Sequence, residues 1–249
     1  MMFKLTDAGY AFNQEPLAGG TELTRGFGNR ALSLAQLQSL TPSIRWTELK
    51  QTHSDIVIQQ PSNNIDAESG FVIGDAHFTF ERGHGLVIKT ADCIPLLISG
   101  TAHGRAVIGA VHAGWRGVVS NISGKTIHAL QAAFPEISPS HMDLTVWIGP
   151  HIRQKNFEVG SDVAPILRTC AAQAYDGKFP EELETLCTDG SGKSLFDLEK
   201  IVRRQLIQAG IQESSIHTLD IDTKADHAWA SYRRDGANAG RNLSFIGLS

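Results

Sequence analysis

The stretch GLVIKTADCIPLLISGTAHGRAVIGAVHAGWRG, residues 85–117, carries the strongest structural signal in the chain. Its apolar runs, over residues 85–90, 94–99 and 105–111, are short and are separated by polar or glycine-containing segments. Such runs, bounded by turn residues, are typical of buried β-strands. We therefore predict three successive strands, the last of which ends directly in the sequence HAGWRG at residues 112–117.

The chain changes from strand-like to helical spacing after this stretch. Residues 118–134 place apolar side chains at helical intervals, and Pro135 is predicted to end the helix. Further helices are predicted over residues 163–174 and over residues 198–209, where Gly210 follows. The first 50 residues predict turns and one short helix. Four more strands are predicted over residues 56–59, 144–148, 216–221 and 243–246.

The order of these elements indicates the fold class. Strands and helices mix without strict alternation, which favours an α+β fold over a doubly wound parallel sheet. Parallel pairing stays open for part of the sheet. The sequence contains no internal repeat or long linker, and 249 residues are enough for a domain with its own core. We predict a single layered domain over residues 1–249, with a mixed β-sheet core and flanking helices.

Composition and charge restrict the partners. A net charge of −4 offers no large positive field for a nucleic acid backbone or an anionic membrane. The chain lacks a signal-peptide pattern and a membrane-spanning apolar run. Its three cysteines are an odd number at wide spacing, which favours a reduced protein. We expect a cytoplasmic protein without a nucleic acid or membrane partner, and its oligomeric state, monomer or weak dimer, stays open.

Three reactive side chains stand where apolar strands begin or end. His53 lies in QTHSDIV, Cys93 in TADCIPLLI and His112 in VHAGWRG. Two imidazoles and one thiolate suit zinc, and three protein ligands leave a fourth position open, as catalytic zinc sites require. In the alternative interpretation, the histidines are hydrogen-bonded loop residues and Cys93 is a small buried side chain.

Two aspartates are candidates for supporting roles near these residues. Asp75, in a Gly-Asp-Ala turn, is a candidate acid–base group or a turn residue. Asp92 directly precedes Cys93, and we expect it to hydrogen-bond a ligand histidine or a turn amide.

Three arginines are candidates for phosphate binding. Arg116 stands near a predicted helix N-terminus, where backbone amides and a guanidinium could hold phosphate. Arg25 and Arg233 have the same potential, and all three could instead form ordinary ion pairs. Trp115 is assigned to the core, whereas Phe157 could either fill the core or stack a base.

These segments also resemble a known family. QTHSDIV, TADCIPLLI and VHAGWRG are similar to signature blocks of the laccase-domain family, also called the multicopper polyphenol oxidase or purine nucleoside phosphorylase family, which includes the peptidoglycan editing factor. Further similar blocks follow in the expected order: GDAHFT at 74–79, IGP at 148–150, FEVG at 157–160 and SYRRDGANAGR at 231–241.

The resemblance implies a zinc-dependent enzyme in which His53, Cys93 and His112 bind the metal. It implies phosphorolysis of adenosine, inosine, guanosine and 5′-methylthioadenosine, with some adenosine deamination. Cys93, His112 and Asp75 are the expected catalytic residues, and Arg25, Arg116 and Arg233 the expected substrate and phosphate ligands. Four alternatives stay open: a hydrolase of peptidoglycan precursors, a metal-free Cys93–His112 hydrolase, a copper-containing polyphenol oxidase, and a binding module without activity.

Overall fold

The computed structural model describes residues 4–5, 10–17, 20–63, 65–102, 104–134 and 142–249. Pro135, predicted to end a helix, lies outside these residues. The strands are β1 (Lys4–Leu5), β2 (Tyr10–Leu17), β3 (Thr21–Gly28), β4 (Arg45–Lys50), β5 (Val57–Gln59), β6 (Val72–Ile73), β7 (Ala76–Thr79), β8 (His84–Thr90), β9 (Ile94–Ala102), β10 (Arg105–Ala113), β11 (Asp143–Ile148), β12 (Glu158–Val159), β13 (Glu184–Leu186), β14 (Ser194–Phe196), β15 (Ile216–Thr218) and β16 (Asn242–Leu248). The α-helices are α1 (Leu34–Leu40), α2 (Trp115–Val119), α3 (Ile122–Ala132), α4 (Ala164–Ala174), α5 (Leu198–Gln208) and α6 (Tyr232–Asp235).

The strands form two large mixed sheets and one small sheet. The larger has the order β1-β2-β3-β16-β8-β4-β6, and the second has the order β15-β11-β9-β10-β7-β5. Most neighbours are antiparallel, but β4 runs parallel to β6 and β8, and β5–β7 and β11–β15 are parallel pairs. The third sheet is β12-β14-β13. The predicted α+β class with mixed sheets and flanking helices is confirmed.

The buried side chains arrange these elements in layers. Leu86 and Ile88 of the larger sheet pack against Leu97 and Ile108 of the second sheet. The other face of the second sheet packs against α2 to α5 in the largest apolar cluster. The outer face of the larger sheet is covered by Leu37 of α1 and its neighbours. The strands β8, β9 and β10 therefore lie at the centre, so that the turns leaving them have rigid support.

The prediction of turns in the first 50 residues is wrong for much of that region, because β2, β3 and β4 are strands there. β3 has the sequence TELTRGFG and is buried at every position except Glu22. A strand buried on both faces does not alternate polar and apolar residues. Here polar Thr24 and Arg25 are among the buried residues, so no apolar run marks the strand.

The helix predicted over residues 118–134 is two helices, α2 and α3. Asn121 separates them, with a left-handed backbone of φ 56°. Its side chain accepts a hydrogen bond from the Gly124 amide and so caps α3. Asparagine tolerates this conformation better than most residues. The break allows α2 to begin directly at the end of β10, with Trp115 and Arg116 in its first turn.

The assignment of residues 1–249 to a single domain stays a prediction. Among the helices of the described residues, none has the length and apolar character needed to cross a membrane.

Candidate metal centre

His53, Cys93 and His112 come together at one end of the two large sheets. Their ligand atoms all lie within 4.8 Å of one another. The Cys93 Sγ atom is 3.9 Å from His53 Nε2, and the rings of His53 and His112 meet edge to face with centroids 4.8 Å apart. Within the described part of the chain, no other group of three histidine, cysteine or acidic residues is arranged to hold a metal ion.

The three residues come from different elements. His53 lies in the loop that follows β4, Cys93 lies in the turn between β8 and β9, and His112 lies near the end of β10. His53 is exposed, Cys93 is half-buried and His112 is buried. The cluster therefore has a buried side against the protein and an open side towards solvent.

Two residues at the cluster have left-handed backbones, which is costly for residues other than glycine. They are His53, with φ 59°, and Asp92, with φ 88°. The Asp92 carboxylate accepts hydrogen bonds from the Thr223 hydroxyl at 2.7 Å and from the Arg233 amide at 2.6 Å. Asp92 thus accepts a hydrogen bond from a backbone amide, but that amide lies in α6 rather than in a turn as expected.

Asp75 lies behind the cluster and is fully buried. Its Oδ1 atom accepts a hydrogen bond from His112 Nδ1 at 2.7 Å and another from the His53 amide at 3.0 Å. Its Oδ2 atom accepts from the Ser54 amide and hydroxyl at 2.7 and 2.6 Å. Asp75 is not among the residues that line the neighbouring cavity. It touches the histidines rather than the space in which a substrate would lie.

The electrostatics of the cluster favour a thiolate at neutral pH. Burial raises the pKa of Cys93, but the imidazoles of His112 and His53 lower it more, to about 6. Burial lowers the pKa of His112, but Cys93 and Asp75 raise it to about 9. The pKa of Asp75 lies below its usual value because hydrogen bonds from His112 and Ser54 outweigh its burial. In the absence of a metal, Cys93 and His112 therefore form a thiolate–imidazolium pair.

Gly114, directly after the strand that carries His112, allows the other two side chains to approach the backbone. A Cβ atom at this position would lie 2.9 Å from His53 Cδ2 and 3.1 Å from Cys93 Sγ. Its φ of −69° is ordinary for any residue. The glycine in the HAGWRG motif is therefore needed for space rather than for an unusual backbone conformation.

A cavity of about 660 Å³ opens at the cluster. Its size suits a small-molecule ligand. It is lined by Leu49, Gln51, His53, Lys89, Thr90, Ala91, Asp92, Cys93, His112, Trp115, Arg116, Ile152, Phe157, Leu198, Tyr232, Arg233 and Arg241.

The walls of the cavity are positive and partly aromatic. Arg116 and Arg233, both predicted as anion ligands, line it, and Arg116 stacks 4.3 Å from the ring of Trp115. Trp115, which we predicted to fill the core, packs against the core and also faces the cavity. Sequence reasoning did not single out Lys89 and Arg241, which also line it. Arg241 ends the SYRRDGANAGR block, which was the only available signal.

The structure does not bring Arg25 to the cavity. The Arg25 side chain is buried between the two large sheets, where its Nη1 atom lies 2.7 Å from Glu15 Oε1. Its guanidinium also lies over the ring of Trp147, 4.7 Å from the centroid. Arg25 points into the protein because β3 is buried on both faces, so the prediction of Arg25 as a phosphate ligand is wrong for this cavity.

The donor set of the cluster matches zinc. Two imidazole nitrogens and a thiolate sulfur are preferred zinc ligands, and three protein ligands leave one position for a substrate or water. A centre with several copper ions would need additional histidine or cysteine ligands. The described residues place none in a further cluster, so the residues fit a single ion.

Comparisons with known proteins identify relatives of this chain. Residues 27–249 match the sequence profile of the family described as multi-copper polyphenol oxidoreductase laccase. A purine nucleoside phosphorylase of Clostridium acetobutylicum is 31% identical over 80% of this chain and 75% of that protein. Another, YlmD of Geobacillus stearothermophilus, is 31% identical over 83% of this chain and 73% of its own length.

The solved structure of YlmD has a fold similar to that of this chain. It superimposes on 99% of this chain and 98% of its own, with a TM-score of 0.75 and 26% sequence identity. The profile match covers most of the chain, and the similarity to YlmD extends over nearly the whole fold. The chain therefore belongs to the multi-copper polyphenol oxidoreductase laccase family.

Proposed function

We propose that this protein is a zinc-dependent purine nucleoside phosphorylase that acts on adenosine, inosine, guanosine and 5′-methylthioadenosine. The observation that carries the proposal is the His53–Cys93–His112 cluster in the wall of a positively charged cavity. The names of the relatives support an enzyme of this kind.

The reaction needs a site for phosphate next to a site for the nucleoside. A phosphate oxygen attacks the ribose C1′ atom, and the bond from C1′ to the purine nitrogen breaks, giving a ribose 1-phosphate and the free base. Arg116 and Arg233 are exposed on the cavity wall. Guanidinium groups bind phosphate through paired hydrogen bonds, and we assign the phosphate to these two residues.

The aromatic side chains of the cavity would bind the purine base by stacking. Trp115, Phe157 and Tyr232 line it, and Tyr232 is 60% exposed. A planar purine stacks favourably on such rings. The base would then lie on the aromatic wall while the ribose faces the cluster and the phosphate faces the arginines.

His53, Cys93 and His112 would hold the zinc ion. A bound zinc ion would act there as a Lewis acid that polarises an oxygen of phosphate, ribose or water. The chain's own contribution is to keep Cys93 as a thiolate and to present the two imidazoles at fixed orientations through the Asp75 contacts.

The test combines metal analysis with a turnover assay. We expect about one zinc per chain in protein expressed with added zinc, as three clustered ligands require. We expect inosine to be consumed only with phosphate, releasing hypoxanthine and ribose 1-phosphate. Adenosine converted to inosine without phosphate would instead identify deamination as the activity. Cleavage of a peptidoglycan precursor, with neither nucleoside reaction, would favour the hydrolase alternative.

One competing function is favoured by a specific observation. The thiolate–imidazolium pair of Cys93 and His112 resembles the dyad of a metal-free cysteine hydrolase. The two hypotheses differ at His53, which a dyad does not need. We expect His53→Ala, Cys93→Ala and His112→Ala each to abolish activity and reduce metal content. Near-normal turnover of His53→Ala in metal-free buffer would reject the zinc proposal.

A further inference from the structure

Asp75 contacts two residues of the cluster and does not line the cavity. The carboxylate is fully buried and accepts hydrogen bonds from both histidines of the cluster. It contacts the ring of His112 but the backbone of His53. One side chain thus reaches two of the three ligands, which come from strands of different sheets.

The second contact between Asp75 and His112 involves the main chain. The His112 amide donates a hydrogen bond to the Asp75 carbonyl oxygen at 2.7 Å. Asp75 therefore holds His112 at both its backbone and its ring. The ring can neither rotate nor translate without breaking one of these bonds, which leaves its Nε2 atom directed at the cluster.

The contact between Asp75 and the ring also selects a tautomer. The other hydrogen-bond partners of the carboxylate are all donors: the amides of Thr52, His53 and Ser54 at 3.1, 3.0 and 2.7 Å, and the hydroxyls of Thr52 and Ser54. The carboxylate can only accept, so His112 Nδ1 must carry the proton. When metal binding displaces the second proton of the ring, the lone pair that the metal ion needs is therefore on Nε2.

We propose that Asp75 is the positioning residue of the metal centre, which sets the tautomer of His112 through the ring and the left-handed backbone of His53 through the amides of residues 52–54. The inference rests on the proposed metal centre and deepens it. It assigns no contact between Asp75 and the substrate.

An asparagine at position 75 is nearly the same size but cannot make these contacts. Its amide nitrogen is a donor, and it must replace either Oδ1 or Oδ2. At Oδ2 it would face the Ser54 amide, which is also a donor. At Oδ1 it would face the His53 amide, and it would leave His112 Nδ1 without an acceptor unless the proton moved to Nε2. A proton on Nε2 blocks the metal ligand.

The first test measures the affinity of the purified protein for zinc and for cobalt(II), as wild type and as Asp75→Asn. We expect the variant to bind about 10- to 100-fold more weakly, the usual effect of losing such a partner. We also expect the visible cobalt spectrum to change. Asp66→Asn is the matched control, because Asp66 also accepts amide, hydroxyl and ammonium donors, but its partners are Ser69 and Lys50 rather than residues of the cluster.

The outcomes separate this inference from the proposed function. Equal affinity and an unchanged cobalt spectrum in Asp75→Asn would overturn the positioning role, even if the variant were less stable. A wild-type protein that binds neither metal would overturn the metal centre and this inference with it.

A second measurement needs no variant and covers the case in which Asp75→Asn does not fold. Nitrogen NMR of zinc-loaded wild-type protein, labelled at histidine, reports which ring nitrogen carries a proton. We expect His112 to be protonated on Nδ1 and metal-bound through Nε2. A proton on Nε2 in the zinc-loaded protein would overturn the inference.

Discussion

At the scale of single residues, the members of the His53–Cys93–His112 cluster could be predicted, but the residue that supports them could not. His53, Cys93 and His112 are the residue types that zinc requires, and each stands beside an apolar strand in the sequence. Asp75 was predicted as an acid–base group or a turn residue, and its supporting contact was missed because it reaches a histidine 37 positions away. A long-range hydrogen bond of this kind leaves no local pattern.

The rate of thiol alkylation at different pH values tests the lowered pKa of Cys93. With the metal removed by a chelator, we expect iodoacetamide to alkylate Cys93 with a midpoint near pH 6, since its pKa is about 6. Alkylation slows below this pH because the thiolate becomes protonated. Cys170 and Cys187 have raised pKa values and should react slowly at pH 7. Peptide mapping by mass spectrometry distinguishes the three.

The zinc-loaded protein is the control for this experiment. Zinc should protect Cys93 and leave the slow reactions of Cys170 and Cys187 unchanged. Equal labelling of Cys93 with and without zinc would contradict its role as a ligand.

Gly114 offers a steric test. We expect Gly114→Ala to weaken zinc binding by at least about tenfold, because the added methyl group displaces His53 and Cys93. Gly240→Ala is a suitable control, since a Cβ atom there meets only Arg30 Cβ at an ordinary 3.6 Å. Zinc titration with a competing chromophoric chelator measures both variants. An unchanged affinity for zinc in Gly114→Ala would mean that His53 and Cys93 can move to accommodate the added methyl group without loss of binding.

At the scale of secondary-structure elements, the prediction succeeded where apolar runs are continuous. β8, β9 and β10 were predicted close to their observed bounds, because their central positions are almost entirely apolar. β3 was missed because buried polar Thr24 and Arg25 interrupt its apolar residues, although Leu23 and Phe27 pack between the two large sheets. Burial of polar residues depends on partners from other strands, which the local sequence does not contain.

The break between α2 and α3 leads to a stability prediction at Asn121. We expect Asn121→Ala to lower the free energy of unfolding by about 2 kcal/mol, since it loses the cap and places alanine in a left-handed conformation. Asn121→Gly removes the cap but tolerates the backbone, so we expect a loss of only a few tenths of a kcal/mol.

Urea unfolding of both Asn121 variants provides the measurement. Equal losses in the two would show that the backbone conformation contributes nothing and would contradict the argument. Arg116 lies in the preceding helix, so a raised KM for phosphate in Asn121→Ala would indicate that α2 has also shifted.

At the scale of the whole molecule, the two large sheets are joined by Arg25 as well as by apolar packing. Its side chain extends from β3 to Ser99 of β9 and Trp147 of β11, while Glu15 of β2 neutralises it. The sequence could show that Arg25 is charged, but not that it lies in the interior. Its position follows from the docking of one sheet on the other.

Substitutions of Arg25 and of Arg116 should therefore have different effects: the first should lower stability, and the second should weaken phosphate binding. We expect Arg25→Ala to lower the free energy of unfolding by about 3 kcal/mol or more, since it leaves Glu15 without its buried partner. Its KM for phosphate should stay near wild type. Arg116→Ala should raise that KM and leave stability within about 0.5 kcal/mol, as expected for an exposed residue.

Urea unfolding and phosphate titration of both variants give the comparison. A raised KM for phosphate in a stably folded Arg25→Ala protein would show that Arg25 contributes to phosphate binding.

The proposed metal ligands belong to both large sheets, and this has a consequence for the folding reaction. His53 follows β4 of the larger sheet, Cys93 connects β8 to β9 of the second sheet, and His112 ends β10. High-affinity metal capture therefore requires that the two sheets have already docked. During refolding in cobalt(II), the thiolate absorption band should rise later than the circular dichroism signal of the strands. The delay between the two signals would measure how long the two sheets take to dock after their strands have formed.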